Sequence, residues 1–219
     1  ENVHASISDL PEQVDVAIVV VARHLVVQVL EECVKKQIKA AIVITQGFAD
    51  ADAEGARLQD LIVRLTREND IRVLGPNTIG MSNAFSNFTS SFIEMHNARI
   101  PVGQISQTGL FMMGHNIVGD EPAGFGMAVD IGNASDVGLI DILEYYGQED
   151  KIKVIQCHVE GIEDGAAFLE ASARIGKEKP IIIYKSGVSE AGRVAVASHS
   201  GAAAGEAQVY QAAFRKAGL

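Results

Sequence analysis

Short apolar runs alternate with longer segments of helical period almost from one end of the chain to the other, and this rhythm restricts the fold more than any other feature. Val16 to Val21 is a nearly continuous apolar run, read as a buried parallel strand. His24 to Gln37 carries apolar residues at Val26, Val27, Leu30 and Val34 with charges between them, which predicts a helix. Ala40 to Thr45 (strand), Ala53 to Asn69 (helix) and Ile71 to Leu74 (strand) follow. Residues 78–99 break the pattern: the stretch is rich in Ser, Asn and Phe, lacks a period and is expected to link two domains. The alternation then resumes with strands at Val102 to Ser106, Gly126 to Ile131, Lys153 to Val159 and Pro180 to Tyr184. Helices are expected at Leu110 to Val118, Val137 to Tyr146, Gly165 to Ile175 and Ala202 to Ala217. Repeated strand–helix units with apolar strands imply parallel sheets flanked by helices. Three strands are few for an independent doubly wound sheet, so one or two further strands are expected ahead of Glu1.

Composition narrows the function. Apolar residues make up 47% and charged residues 21%, as in folded globular proteins. A formal net charge of −10 argues against nucleic acid as the principal partner, which needs clustered Lys and Arg. No apolar run approaches the roughly 20 residues of a membrane-spanning helix, and no signal peptide is visible at the start, so a cytoplasmic location is expected. Cys33 and Cys157 have no CxxC spacing and read as two buried thiols of a reducing compartment.

Ligands of open parallel sheets bind beyond the carboxyl ends of the strands. Four loops there stand out: Thr45-Gln46-Gly47-Phe48, Gly75-Pro76-Asn77-Thr78, Ser106-Gln107-Thr108-Gly109 and Ser186 to Gly201. The third follows a strand and opens a helix, where unsatisfied N–H groups suit a phosphate as well as an ordinary cap. The fourth, SGVSEAGRVAVASHSG, places His199 among small residues just before a helix. Near neutral pH an imidazole there is a potential nucleophile, or simply a capping histidine. Glu160, at the carboxyl end of a neighbouring strand, is a carboxylate able to orient its ring. His4, His24, His96, His115 and His158 show no metal-ligand spacing.

On these residues the sequence resembles the nucleoside-diphosphate-forming acyl-CoA synthetases, including α subunits of ADP-forming acetyl-CoA synthetases and, more distantly, of succinyl-CoA synthetase. The matching stretches are VITQGFADADAEG, RVLGPNTIGMSN, GQISQTGLFMMG, DIGNASDVGLIDILEYYGQEDKIKVIQCHVEGIEDGAAF, KPIIIYKSGVSEAGRVAVASHSGAAAG and YQAAFRKAG, all in the family's order. The resemblance implies an α/β protein. Residues 1–81 would form the C-terminal part of an incomplete Rossmann-like CoA-binding domain, 82–100 a linker and 101–219 a flavodoxin-like parallel-sheet domain.

It further implies that His199 is the phosphorylated histidine and that Glu160 orients it. Ser106, Thr108 and Gly109 would hold the phosphoryl group, and Thr45, Gln46, Gly47 and Asn77 would line the CoA and active-site cleft. The implied reaction interconverts acyl-CoA, phosphate and ADP with a small carboxylic acid, CoA and ATP, through an acyl phosphate and a phosphohistidine. ATP, ADP and Mg would bind an ATP-grasp partner domain or subunit, and the assembly would be oligomeric. Nothing in this chain resembles an ATP-grasp domain, and the Gly-rich turn that opens the family's CoA-binding domain is absent. Ser200 stands where Thr is common in the family and Thr108 where Ser is common; both keep the hydroxyl. A non-catalytic CoA- or acyl-CoA-binding regulatory module is the alternative. A nucleotide-dependent oxidoreductase is disfavoured because no GxGxxG follows a strand.

Overall fold

The computed structural model describes residues 3–94, 98–109, 111, 124–190, 192 and 207–219. The first unit holds strands β1 (Val16–Val19), β2 (Ala40–Val43) and β3 (Arg72–Leu74), all parallel and in that spatial order. Helices α1 (Arg23–Lys35) and α2 (Ala53–Glu68) make the crossovers. The Asp52 side chain caps α2 by accepting from the Gly55 N–H at 2.7 Å, and Leu58, Ile62 and Leu65 bury one face. They pack with Val26, Leu30 and Cys33 of α1 and Val43 and Val73 of the sheet into one core.

The strand expected at Val16 to Val21 forms, but it is not buried on both faces. Among the described residues β1 pairs only with β2, and Val16 and Ile18 are exposed. An apolar run reports strand propensity, not the number of neighbours the strand acquires.

The second unit is a six-stranded mixed sheet. It contains β4 (Met81–Asn83), β5 (Phe88–Thr89), β6 (Val102–Ser106), β7 (Met127–Asp130), β8 (Val154–Val159) and β9 (Ile181–Lys185), in spatial order β5-β4-β7-β6-β8-β9. The four strands β7-β6-β8-β9 are parallel, while β4 pairs antiparallel with both β5 and β7. The four strands expected after the linker are parallel, and the segment read as aperiodic adds two antiparallel strands beside them, which makes the sheet mixed. Short antiparallel strands at the side of a sheet need no long apolar run, because β7 supplies partner groups to β4 and β4 in turn to β5.

Helices α3 (Leu139–Gln148) and α4 (Gly165–Ile175) cover one face of this sheet, and α5 (Ala207–Ala217) closes the described chain. Leu143, Tyr146 and Phe168 pack there on Ile105, Ile155, Cys157 and Val159. Both cysteines are buried free thiols, and burial pushes Cys157 up to about 12. The helix expected at Leu110 to Val118 falls largely outside the described residues. Among those described, no helix is long and apolar enough to cross a membrane.

The two units meet through the turn after β7. The Asn133 N–H donates to Pro76 O at 2.9 Å, and its amide Nδ2 donates to Asp50 Oδ1 at 2.7 Å and to Gln59 Oε1 at 2.9 Å. Gly132 has φ +53°, and a Cβ there would lie 2.3 Å from Pro76 O, so only glycine lets the two backbones approach this closely. Asp136 ties the next turn down by accepting from the Val73 N–H at 2.7 Å and pairing with Arg72.

Candidate active site at the carboxyl ends of the strands

On the second sheet, Ile105, Met127, Val129, Ile155, Cys157 and Val159 of the central strands belong to the core that includes α3 and α4. Strand registry aligns a second set into one row: Asp130 beside Ser106, Ser106 beside His158, and His158 beside Tyr184. The first three are 3% exposed or less. This row forms the floor beneath the turn Ser106-Gln107-Thr108-Gly109.

The turn is held by its own first residue. The Ser106 hydroxyl donates to Thr108 O at 2.7 Å and accepts from the Thr108 N–H at 3.2 Å. Gly109 sits where a Cβ would lie 2.5 Å from the Ile79 side chain and 3.3 Å from Asp130 Oδ2, so the chain passes close over the floor.

Glu160, just beyond β8, is buried, and its backbone is held by the side chains of Gln107 and Lys185. The Gln107 side chain reaches across from the turn: its Oε1 accepts from the N–H groups of Glu160 and Gly161, and its Nε2 donates to Gly161 O at 2.8 Å. From the other side, Lys185 Nζ donates to Glu160 O at 2.8 Å and to Ser186 O, and it lies 4.6 Å over the Tyr210 ring of α5. Burial lowers the Lys185 pKa, partly countered by Glu160. Gln107 was not singled out from the sequence, although it lies inside the turn motif; only the neighbouring strand reveals its role as a clamp. Removing this clamp by Gln107→Ala is expected to raise backbone amide exchange at Glu160 and Gly161 about tenfold, the equivalent of roughly one hydrogen bond to each. Unchanged exchange at both amides would show that Gln107 does not hold them.

Two further titratable groups lie in the floor. Burial raises the Asp130 carboxyl to about 6, against the opposing effect of N–H donors from Ile79 and Gly132. Burial, helped by the Lys185 charge, lowers the His158 imidazole to about 4. Neither was picked out as a site residue from the sequence. The signal was present in VIQCHVE, where Gln156, His158 and Glu160 alternate with Ile155, Cys157 and Val159.

A cleft of about 630 Å³ opens between the two units above this floor, lined in part by Val21, Thr45, Gln46, Asn77, Thr108 and Gly109. A second cavity of about 440 Å³ adjoins it, with Glu160, Gly161 and Asn133 in its wall; Asn77, Gln107 and Asp50 line both. Of the residues expected at the site, Thr108, Gly109, Glu160, Thr45, Gln46 and Asn77 therefore border two adjoining cavities, while Ser106 is buried beneath the turn and lines neither. Gly47 lies one residue past this rim, with φ +93°, and its carbonyl accepts from Arg23 at 2.8 Å. The Thr45 hydroxyl is engaged with Val21 O at 2.7 Å, and Thr45 O accepts from the Asn77 N–H at 2.9 Å. His199 lies outside the described residues. Among those described, no group of three or more His, Cys, Asp or Glu is placed to hold a metal ion.

Comparison with known proteins agrees with this arrangement. Residues 1–84 match the model of a CoA binding domain, and residues 99–219 match that of the succinyl-CoA ligase like flavodoxin domain. The chain is 36% identical over 219 residues to the α subunit of acetate–CoA ligase (ADP-forming) II of Pyrococcus furiosus, covering 99% of this chain and 47% of that protein. It is 32% identical to 4-hydroxybutyrate–CoA ligase (ADP-forming) of Nitrosopumilus maritimus, covering 100% of this chain and 32% of the relative. Among solved structures, acetyl-coenzyme A synthetase 1 of Ca. Korarchaeum cryptofilum in complex with phosphate and ADP superposes with a TM-score of 0.86 at 33% identity. That match covers 99% of this chain and 47% of that one. The chain thus spans about half the length, or less, of the relatives it matches. With both domain models met in order and the fold shared, this chain belongs to the nucleoside-diphosphate-forming acyl-CoA synthetases, as an α-type module with a CoA-binding and a flavodoxin-like domain.

Proposed function

We propose that this module interconverts acyl-CoA, phosphate and ADP with a free acid, CoA and ATP, with His199 as the phosphoryl carrier. Phosphate displaces CoA from the acyl group, giving an acyl phosphate. The imidazole of His199 then takes the phosphoryl group and releases the carboxylate, and ADP finally accepts it, regenerating the neutral ring. The observation that carries this reading is the Gln107 clamp. It ties the backbone of Glu160 to the turn beside the cleft, so that a carboxylate and the donors of a helix start border adjoining cavities. Glu160 accepts the N–H of the phosphorylated ring, while Thr108 and Gly109 hold the phosphoryl oxygens on a turn that Ser106 braces from beneath. Transfer of this kind depends on positioning and charge stabilisation more than on covalent help from the protein.

The larger cleft suits the pantetheine arm of CoA. Its lining combines hydroxyl, amide and apolar groups with the carboxylates Asp50 and Asp130, and among the described residues it includes no Lys or Arg. A neutral arm bearing a thiol fits such walls better than the phosphates of the nucleotide end. Residues 1–81 and 101–219 serve as the two domains, with 82–100 a junction that lends strands to the second sheet. The nucleotide and Mg belong to an ATP-grasp partner, fused or separate, in an oligomeric cytoplasmic enzyme.

The test is peptide mass mapping after incubating the full-length protein and its nucleotide-binding partner with ATP and magnesium, quenched at alkaline pH. An acid-labile phosphate on the peptide containing His199 is the expected result. No phosphate, with both partners folded and nucleotide bound, overturns the reading and favours a non-catalytic CoA-binding module.

A further inference from the structure

Ser106 has one hydroxyl hydrogen, and it is committed to Thr108 O at 2.7 Å. Toward His158 Nδ1, 3.4 Å away, the serine oxygen can therefore only accept. This assigns the imidazole tautomer: Nδ1 carries the proton and donates to Ser106, which leaves Nε2 with a lone pair. Nε2 lies 2.6 Å from Ser186 Oγ, so the Ser186 hydroxyl donates to it. The ring is 3% exposed and is stacked by Phe111, with centroids 4.4 Å apart and planes at 19°. Tyr184 packs on it at 5.6 Å and 25°. A neutral ring is required for both hydrogen bonds in this sense, and its lowered pKa keeps it neutral near pH 7.

Ser106 is the first residue of the phosphate turn, and Ser186 is the first residue after β9, where the segment leading to His199 begins. We propose that His158 is a positioning residue that joins these two segments through the chain Ser186–His158–Ser106, setting where the phosphoryl-carrying segment leaves the sheet relative to the phosphate turn. The proposal rests on the phosphohistidine reading above and adds to it a device within this domain. A backbone bond from the Ser186 N–H to Val159 O at 3.0 Å fixes the height of the strand end; the His158 contact fixes the Ser186 side chain over the row.

The experiment compares His158→Phe, Ser186→Ala and the double variant in the full-length enzyme with its nucleotide-binding partner. Phe keeps the stacked ring and removes both hydrogen bonds. The rate of phosphohistidine formation from ATP, read by rapid quench, is expected to fall about tenfold in each single variant and no further in the double. The KM for CoA is expected to stay unchanged, a split that general loosening of the fold would not produce. His158→Gln, which retains a donor and an acceptor, is expected to recover part of the rate. A wild-type rate in His158→Phe, or multiplied losses in the double variant, overturns the proposal. Imidazole nitrogen resonances in the wild-type protein give a readout independent of turnover: Nδ1 protonated and Nε2 bare near pH 7 is expected, with the signal shifted in Ser186→Ala. A proton on Nε2 overturns it. If the wild-type enzyme itself takes no phosphate on His199, the phosphohistidine reading fails, and the resonances decide the hydrogen-bonded chain by themselves.

Discussion

His199→Ala is expected to abolish phosphoenzyme formation altogether, reducing acid-labile label to background. The completeness of the loss follows from what surrounds the site. Glu160, when ionised, only accepts hydrogen bonds. Among the described residues, His158 is the imidazole at this rim; it is buried with both ring nitrogens engaged, and it has no free lone pair to offer a phosphorus atom. No described group can therefore substitute, and losses at an essential nucleophile are not partial. The sequence places His199 in a stretch of small residues outside both apolar patterns. Thermal unfolding is accordingly expected within about 2 °C of the wild type, the range for substitutions remote from a core. Label persisting in His199→Ala, for instance on a peptide containing His158, would show that the carrier is elsewhere.

The largest effect on stability is expected from Phe168→Ala. Phe168 is fully buried on α4 in the core of the second sheet, and its ring meets Phe214 of α5 edge-on, with centroids 6.2 Å apart. Truncation removes an aromatic ring and leaves a cavity between α4, α5 and the sheet, at a cost of about 3–5 kcal/mol. Because α5 also presents Tyr210 to Lys185 and to the Ile162 N–H, loosening its contact with α4 also reaches the segment holding Glu160. Urea unfolding measures the loss; a change below about 1 kcal/mol would mean that the core collapses into the space and α5 docks without the ring.

Elements with strong local signals could be read from the chain itself. Strand β6 and helix α4 have the bounds expected from sequence. The apolar period of α4 is sharp, Asp164 caps its start by accepting from the Ala167 N–H at 2.9 Å, and Gly176 follows its end. The strands β4 and β5 were not legible, since Met81–Asn83 owes its structure to pairing with β7, and Phe88–Thr89 to pairing with β4, rather than to their own composition. The exposure of β1 was missed for a related reason: neighbours are a tertiary property. At the site, Ser106 and Glu160 could be found because both stand at strand ends, where parallel sheets gather ligands. The direction of the Gln107 amide depends on a residue 53 positions away, which no local pattern encodes.

The row Asp130–Ser106–His158 also has a consequence for the proton inventory of folding. Folding raises the Asp130 carboxyl from its ordinary value of 3.8 to about 6, so its contribution to stability is full below about pH 4 and is lost as pH rises through 6. His158 runs the opposite way. Its value drops from 6.5 to about 4, so its contribution is full above about 6.5 and is lost as pH falls toward 4. Between roughly pH 4 and 6, folding loads one proton onto the aspartate and removes one from the histidine, with almost no net exchange from this row. Two groups, each a source of acid or alkaline sensitivity alone, together make the sheet beneath the active site nearly indifferent to pH over that window. Deleting either one uncovers the other: His158→Phe leaves stability falling as pH rises from 4 to 6, and Asp130→Ala leaves it rising.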